Sequence, residues 1–196
     1  MPRKARLDSP GTLHHVIIRG IEGRDIFLTD EDRLNFLDRV KRITGPTGTR
    51  LLAWALMRNH VHFLLFSGAA GLSAFMRKLL TGYALWFNRR HKRIGHLFQN
   101  RYKSIVCEEN AYLTELVRYI HLNPLRSSLV NTLSALDEYP WCGHAVIVGN
   151  TRNEWQEVDY VLSLFGGNKQ KALPIYRRFI AEGKDLGRRP ELVGGG

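Results

Sequence analysis

The order of apolar and polar segments along this chain predicts an α+β fold: an antiparallel sheet with helices packed on one face, plus a short C-terminal extension. Three observations carry the prediction. Short runs rich in β-branched and aromatic residues alternate with longer stretches of helical apolar spacing, in the order β, α, β, β, α, β, α. With 196 residues, 44% of them hydrophobic, the chain can bury a core of its own. Glycine, proline and asparagine fall between these segments, where a sheet and its helices must be joined.

Thr12 to Arg19 reads as the first strand, with Val16, Ile17 and Ile18 following His14 and His15, and a turn through Gly20 and Gly23 ends it. Thr29 is an N-cap candidate, because Asp30, Glu31 and Asp32 supply the negative charge a first helical turn favours. Leu34, Phe36, Leu37, Val40 and Ile43 continue at helical spacing, and Gly45-Pro46 is expected to stop the helix. Leu51 to Met57 and His60 to Phe66 read as adjacent strands joined by a tight turn at Arg58-Asn59. A long amphipathic helix is expected from Leu72 to Arg90, then a basic loop from His91 to Tyr102 and a strand from Lys103 to Cys107. Asn110 is read as the cap of a helix running to about Leu122, which Asn123-Pro124 ends. Beyond Val130 the chain reads as loops with one helix near Leu173 to Ala181 and a disordered Gly194-Gly195-Gly196 end.

Charge narrows the function. The 29 Lys+Arg against 18 Asp+Glu leave a formal +11, so a polyanion, most commonly nucleic acid, is the expected partner. Residues 77–126 hold 10 basic and 3 acidic side chains, a balance of +7, whereas residues 127–196 hold 8 of each. A solvated face would explain the excess, but Tyr83, Trp86, Phe87, Phe98 and Tyr102 interleave with the cations, which suits unpaired bases. Arg77, Lys78, Arg89, Arg90, Arg93, Arg101 and Lys103 are therefore the candidate DNA-binding residues. No apolar run reaches the ~18 residues of a membrane span. Two isolated cysteines, Cys107 and Cys142, make no disulfide scaffold, so a cytoplasmic location is expected.

Two local features could carry chemistry. In Asn59-His60-Val61-His62-Phe63 the two histidines lie two apart on a strand and share a face, so they are either ordinary part-buried histidines or joint ligands of a divalent metal. The known alternatives fit poorly. An alternating histidine-triad hydrolase would need histidine where Leu64 stands, a barrel amidohydrolase needs roughly 250 residues, and a structural zinc site needs close-spaced cysteines. In Arg118-Tyr119-Ile120-His121-Leu122-Asn123-Pro124, Tyr119 and Asn123 stack on one helix face, with Tyr112 seven residues earlier. Read alone, these are a packed tyrosine and a helix stop.

Together the two motifs resemble the single-tyrosine HUH transposases (IS200-like), and most closely the REP-associated tyrosine transposases. His60-Val61-His62 matches the His-hydrophobic-His motif and the Arg118 to Pro124 block matches the tyrosine helix. His15-Val16 to Arg19-Gly20 and Gly95 to Tyr102 are supporting matches, so the likeness covers about residues 10 to 145. The resemblance implies a catalytic domain over 10–145 with a ferredoxin-like HUH nuclease fold, followed by an extension over 146–196. It implies Tyr119 as nucleophile and His60, His62 and Asn123 as ligands of Mg²⁺ or Mn²⁺. It assigns no role to His121 or Tyr112. The implied activity is cleavage and rejoining of single-stranded DNA beside a hairpin through a 5′-phosphotyrosine link, by a monomer or homodimer. A hairpin-binding protein without cleavage and an RNA-binding protein are the competing readings.

Overall fold

The computed structural model describes residues 9–107 and 113–186. Four strands, β1 (Leu13–Arg19), β2 (Arg50–Leu56), β3 (His60–Phe66) and β4 (Lys103–Val106), form one antiparallel sheet in the order β2-β3-β1-β4. β2 and β3 are the expected hairpin, closed by the Met57 amide donating to the His60 carbonyl at 2.9 Å. β2 bulges at Leu52, where its register to β3 shifts between Leu51 and Ala53.

Helix α1 (Asp30–Thr47) opens with a capping box: the Asp32 amide donates to the Thr29 hydroxyl, and Asp32 Oδ2 accepts from the Thr29 amide at 2.8 Å. The helix runs through Gly45-Pro46 instead of stopping there. A proline in the last turn removes a single helical bond, the Thr47 hydroxyl donates to the Ile43 carbonyl at 2.6 Å, and Gly48 at φ +68° supplies the left-handed cap. Helix α2 (Leu72–Arg90) has the expected bounds and buries Phe75, Met76, Leu79, Tyr83 and Phe87 at helical spacing. With Phe36 and Val40 of α1 they cover one face of the sheet, packing on Val16, Ile18, Trp54, Val61 and Phe63.

The second face is covered too, which corrects the one-sided layering. Helix α3 (Leu113–His121) lays Leu116, Val117 and Ile120 onto Leu52, Ala55 and Leu64. The chain then forms α4 (Asn123–Arg126), which begins where Asn123-Pro124 was expected to stop a helix, and α5 (Leu133–Asp137), α6 (Gly143–Ile147), α7 (Val158–Ser163) and α8 (Lys169–Glu182), within residues read as loops and one shorter helix. Val161, Leu162, Ala172, Tyr176 and Ile180 join the same buried cluster as Leu116 and Ile120. The boundary expected at 145/146 thus falls inside α6, and residues on both sides share one core. The β2 edge is closed by the tail: Gln156 accepts from Trp54 Nε1 at 2.8 Å and donates to the Leu52 and Gly143 carbonyls. Such cover keeps an edge strand from pairing with another chain. Asn110, Tyr112 and the terminal glycines lie outside the described residues. Among the described residues no helix is long and apolar enough to cross a membrane.

Candidate active site

Residues paired across neighbouring strands point to the same side of a sheet, so the register defines the site. His60 stands opposite Arg19 and His62 opposite Ile17. The row Arg19, Ile17, His15 of β1 therefore runs beside the row His60, His62, Leu64 of β3, on the face that α3 covers. Lys103 of β4 pairs with Ile17 and joins the same face. The His60 and His62 ring centroids are 5.1 Å apart. Tyr119, half-buried on α3, sits edge-on to His62 at 5.8 Å and to His15 at 6.0 Å. Two histidines and a tyrosine separated by 57 to 59 positions in sequence thus meet within one chain.

The hydrogen bonds around the imidazoles decide which nitrogens face the site. Asn59 Nδ2 donates to the Gly23 carbonyl at 3.0 Å, which turns its Oδ1 toward His60 Nδ1 at 2.7 Å. An amide oxygen only accepts, so His60 carries its proton on Nδ1 and keeps the Nε2 lone pair for a ligand. His62 Nδ1 is likewise engaged, by His15 Nε2 at 3.0 Å, which leaves Nε2 as its outward nitrogen. The turn bearing Asn59 is clasped by the loop after β1: the Gly20 amide donates to the Asn59 carbonyl at 2.8 Å, and the Ile26 amide to the Arg58 carbonyl at 2.9 Å. Beside His60 a cavity of about 330 Å³ opens between this turn and Ser127 and Leu129.

Burial, helped by the charge of Arg19, holds the His60 imidazole down at about 4. Burial drives His62 well below its ordinary value, with His15, His60 and Arg19 adding to the effect. Both rings are neutral at pH 7, the form a metal ligand needs. Asn123 follows Tyr119 by four residues. It opens α4, and its Nδ2, a hydrogen-bond donor that cannot itself coordinate a cation, is buried without a hydrogen-bond partner. An orphaned donor of this kind is costly unless an acceptor completes it. Among the described residues, no three His, Cys, Asp or Glu side chains are grouped to hold a metal.

The basic residues divide differently from the sequence expectation. Arg77, Lys78, Arg89, Arg90 and Arg93 ride on or just after α2, across the sheet from Tyr119. Arg77 and Arg101 line a groove of about 830 Å³ between α2 and the segment entering β4, with Leu80, Asn88, Phe98 and Tyr102. Lys78 and Arg89 are exposed, and Arg93 lies 5.8 Å from the Phe87 ring centroid. Arg90 is bound through both terminal nitrogens to Glu31, at 2.7 and 2.5 Å. Sequence reasoning gave no role to Asn59, His15 or Arg126, whose guanidinium carbon lies 5.5 Å from the Tyr119 ring centroid. Asn59 and His15 were visible as motif neighbours, but only the register puts His15 beside His62.

The sequence profile described as "Transposase IS200 like" matches residues 11–123, more than half of the chain. The fold is similar to a REP-associated tyrosine transposase solved bound to a REP hairpin, with TM-score 0.59, 17% identity, and coverage of 80% of this chain and 98% of that one. A candidate transposase from Deinococcus radiodurans R1 aligns less well, with TM-score 0.42 and 21% identity over 60% of this chain and 95% of that one. No curated protein matches the chain in sequence. The profile spans both the histidine strand and the tyrosine helix, and the chain belongs to the IS200-like transposase family.

Proposed function

We propose that this transposase is a metal-dependent strand transferase that cleaves and rejoins single-stranded DNA beside a hairpin, through a covalent 5′-phosphotyrosine on Tyr119. The observation that carries the reading is the meeting, within one chain, of a half-buried tyrosine and two neutral imidazoles whose Nδ1 atoms are already engaged. His60 and His62 through Nε2, and Asn123 through its Oδ1, would hold Mg²⁺ or Mn²⁺, which would supply charge neutralisation and polarisation of a phosphate oxygen.

The chain's own groups do the rest. The Tyr119 oxygen forms a bond to phosphorus as the bond to the 3′ oxygen breaks. The phenolic proton leaves, the 3′ oxygen gains one, and one phosphate ester replaces another. A second 3′-hydroxyl can therefore reverse the step without a nucleotide cofactor. A phenol with a pKa near 10 is a weak nucleophile at neutral pH, so positioning carries much of the rate. Arg19 and Lys103, exposed at the border of the histidine face, suit the phosphates nearest the reacting one. The groove lined by Arg77, Arg101, Phe98 and Tyr102 suits the rest of the DNA, which would pass around the β4 edge from one face to the other. A REP hairpin is what the fold neighbour binds, and a palindromic hairpin with single-stranded flanks is the substrate class proposed here.

The test is a labelled hairpin oligonucleotide incubated with protein and Mn²⁺ and run on a denaturing gel. A covalent adduct that disappears in Tyr119→Phe and on adding a chelator is expected. No adduct from wild type across a panel of palindromic hairpins, or an equal yield from Tyr119→Phe, sinks the reading.

A further inference from the structure

We propose that α8 and the glycine that follows it are part of the catalytic apparatus: they position Tyr119 by gripping the tyrosine segment at Arg118, His121 and Arg126. The inference rests on Tyr119 being the nucleophile and gives a role to a part of the chain whose sequence suggested none.

The grip consists of three contacts along successive turns of α8. In the first, the Tyr176 hydroxyl bridges His121 Nδ1 at 2.7 Å and His144 Nδ1 at 2.8 Å, and His144 Nε2 donates to Asp137 at 2.7 Å. Tyr176, His121 and His144 are all buried, so this polar chain ties α8 to α3, α6 and α5 where water does not compete. In the second, the Arg118 guanidinium lies 4.0 Å from the Phe179 ring centroid and donates to the Phe179 carbonyl at 3.3 Å, while Glu115 binds its other end at 2.6 and 2.7 Å. Arg118 is only 8% exposed, so it is built into the protein and is not a free DNA-binding cation. In the third, Arg126 donates to the Gly183 carbonyl at 3.2 Å and reaches over the Tyr119 ring. Gly183 must lack a side chain here, because a Cβ would meet Arg118 Cδ at 2.3 Å.

The three gripped residues surround the chemistry. Arg118 immediately precedes Tyr119, His121 lies between Tyr119 and Asn123, and Arg126 closes over the phenol ring. Moving α8 would therefore move the nucleophile relative to His60 and His62, which are fixed in the sheet. In-line attack is sensitive to placement at the ångström scale, where a small error costs up to about a hundredfold in rate. Arg126 acts through Tyr119 and is a positioning residue.

The experiment uses the full chain, saturating hairpin oligonucleotide and Mn²⁺, and compares the single-turnover rate of adduct formation with the hairpin Kd. Gly183→Ala and Arg126→Gln are expected to slow adduct formation by about tenfold to a hundredfold with Kd unchanged within about twofold, and Arg126→Lys to recover part of the loss. A merely structural helix would lower the folded fraction without this split between rate and affinity. Wild-type rates in folded Gly183→Ala and Arg126→Gln overturn the inference, as does a rate loss matched by an equal loss of affinity. Should Gly183→Ala fail to fold, Arg126→Gln alone decides by the same criteria. Failure of the underlying reading is distinct: there wild type itself gives no adduct, or Tyr119→Phe gives as much.

Discussion

On the face covered by α1 and α2, the sheet buries Phe36, Phe63, Phe75, Tyr83 and Phe87 in edge and stacked ring contacts, and the Tyr83 hydroxyl is satisfied by the Ile26 carbonyl at 2.6 Å. On the opposite face it buries His15, His62, His121, His144 and Arg118 among aliphatic side chains. The first face gains its stability from apolar area and close packing. The second must give each buried polar group a partner: His15 Nε2 meets His62 Nδ1 and His144 Nε2 meets Asp137, while among the described residues no such bond engages the Nε2 atoms of His60 and His62. Under the proposed chemistry, packing dominates the first side of the sheet and the reacting groups lie on the second, so a substitution's effect should depend on the side it strikes.

The largest effect tests whether the second face is complete within one chain. Tyr119→Phe and His62→Ala are each expected to abolish adduct formation, and an equimolar mixture of the two is expected to stay inactive. Recovery of adduct in the mixture would mean that the tyrosine serves a partner's histidines. On the first face, Phe36→Ala is expected to cost about 3–5 kcal/mol and lower Tm by about 10 °C or more. The adduct rate per folded molecule should hold at a temperature where the variant is fully folded. A large drop in that rate with Tm unchanged would erase the contrast between the faces.

A smaller, graded effect is expected with pH. His60, His62 and His121 are held neutral by burial, with folded pKa values below the ordinary 6.5. Between pH 6.5 and about 4 the unfolded chain takes up protons that the folded chain refuses, so their contribution is whole above 6.5 and is lost as pH falls. Urea midpoints measured without metal should decline from pH 7.5 to pH 5, and a flat profile contradicts the neutral imidazoles. Asp32 and Asp137, both lowered from 3.8, add their losses only at more acidic pH. The smallest effect belongs to Arg90→Gln. Its pairing with Glu31 is solvent-exposed, so the stability read from urea unfolding should fall by less than about 1 kcal/mol. Because that arginine is already paired, hairpin affinity should fall less than in Arg101→Gln, a comparison that filter binding can make.

The two faces also differ in how far they could be read from sequence. α2 was legible to its end residues because Phe75, Leu79, Tyr83 and Phe87 repeat at strict helical spacing. The β2–β3 hairpin was legible because Arg58-Asn59 separates two apolar runs. His60 and His62 could be placed on one face by alternation alone, whereas the single helix expected to carry Tyr119 up to Asn123 is in fact two, α3 ending at His121 and α4 beginning at Asn123. What alternation could not give was register: His15 lies beside His62 only because β1 pairs antiparallel with β3, a contact spanning 47 positions. Helices α5 to α7 have five or six residues each, too few for a period, and tertiary packing stabilises them. The bulge at Leu52 and the attachment of α8 to Arg118 and Arg126 depend on the assembled core in the same way.

The central claim is that Tyr119, placed against the histidines of its own chain, takes the DNA in covalent linkage. The most direct measurement is to trap the adduct on a palindromic hairpin with single-stranded flanks, digest the protein, and sequence the nucleotide-bearing peptide by mass spectrometry. The account predicts a single modified peptide, Tyr119 carrying a 5′-phosphate-linked nucleotide, formed only with divalent metal. A nucleotide linked to any other residue, or through its 3′ end, would contradict it.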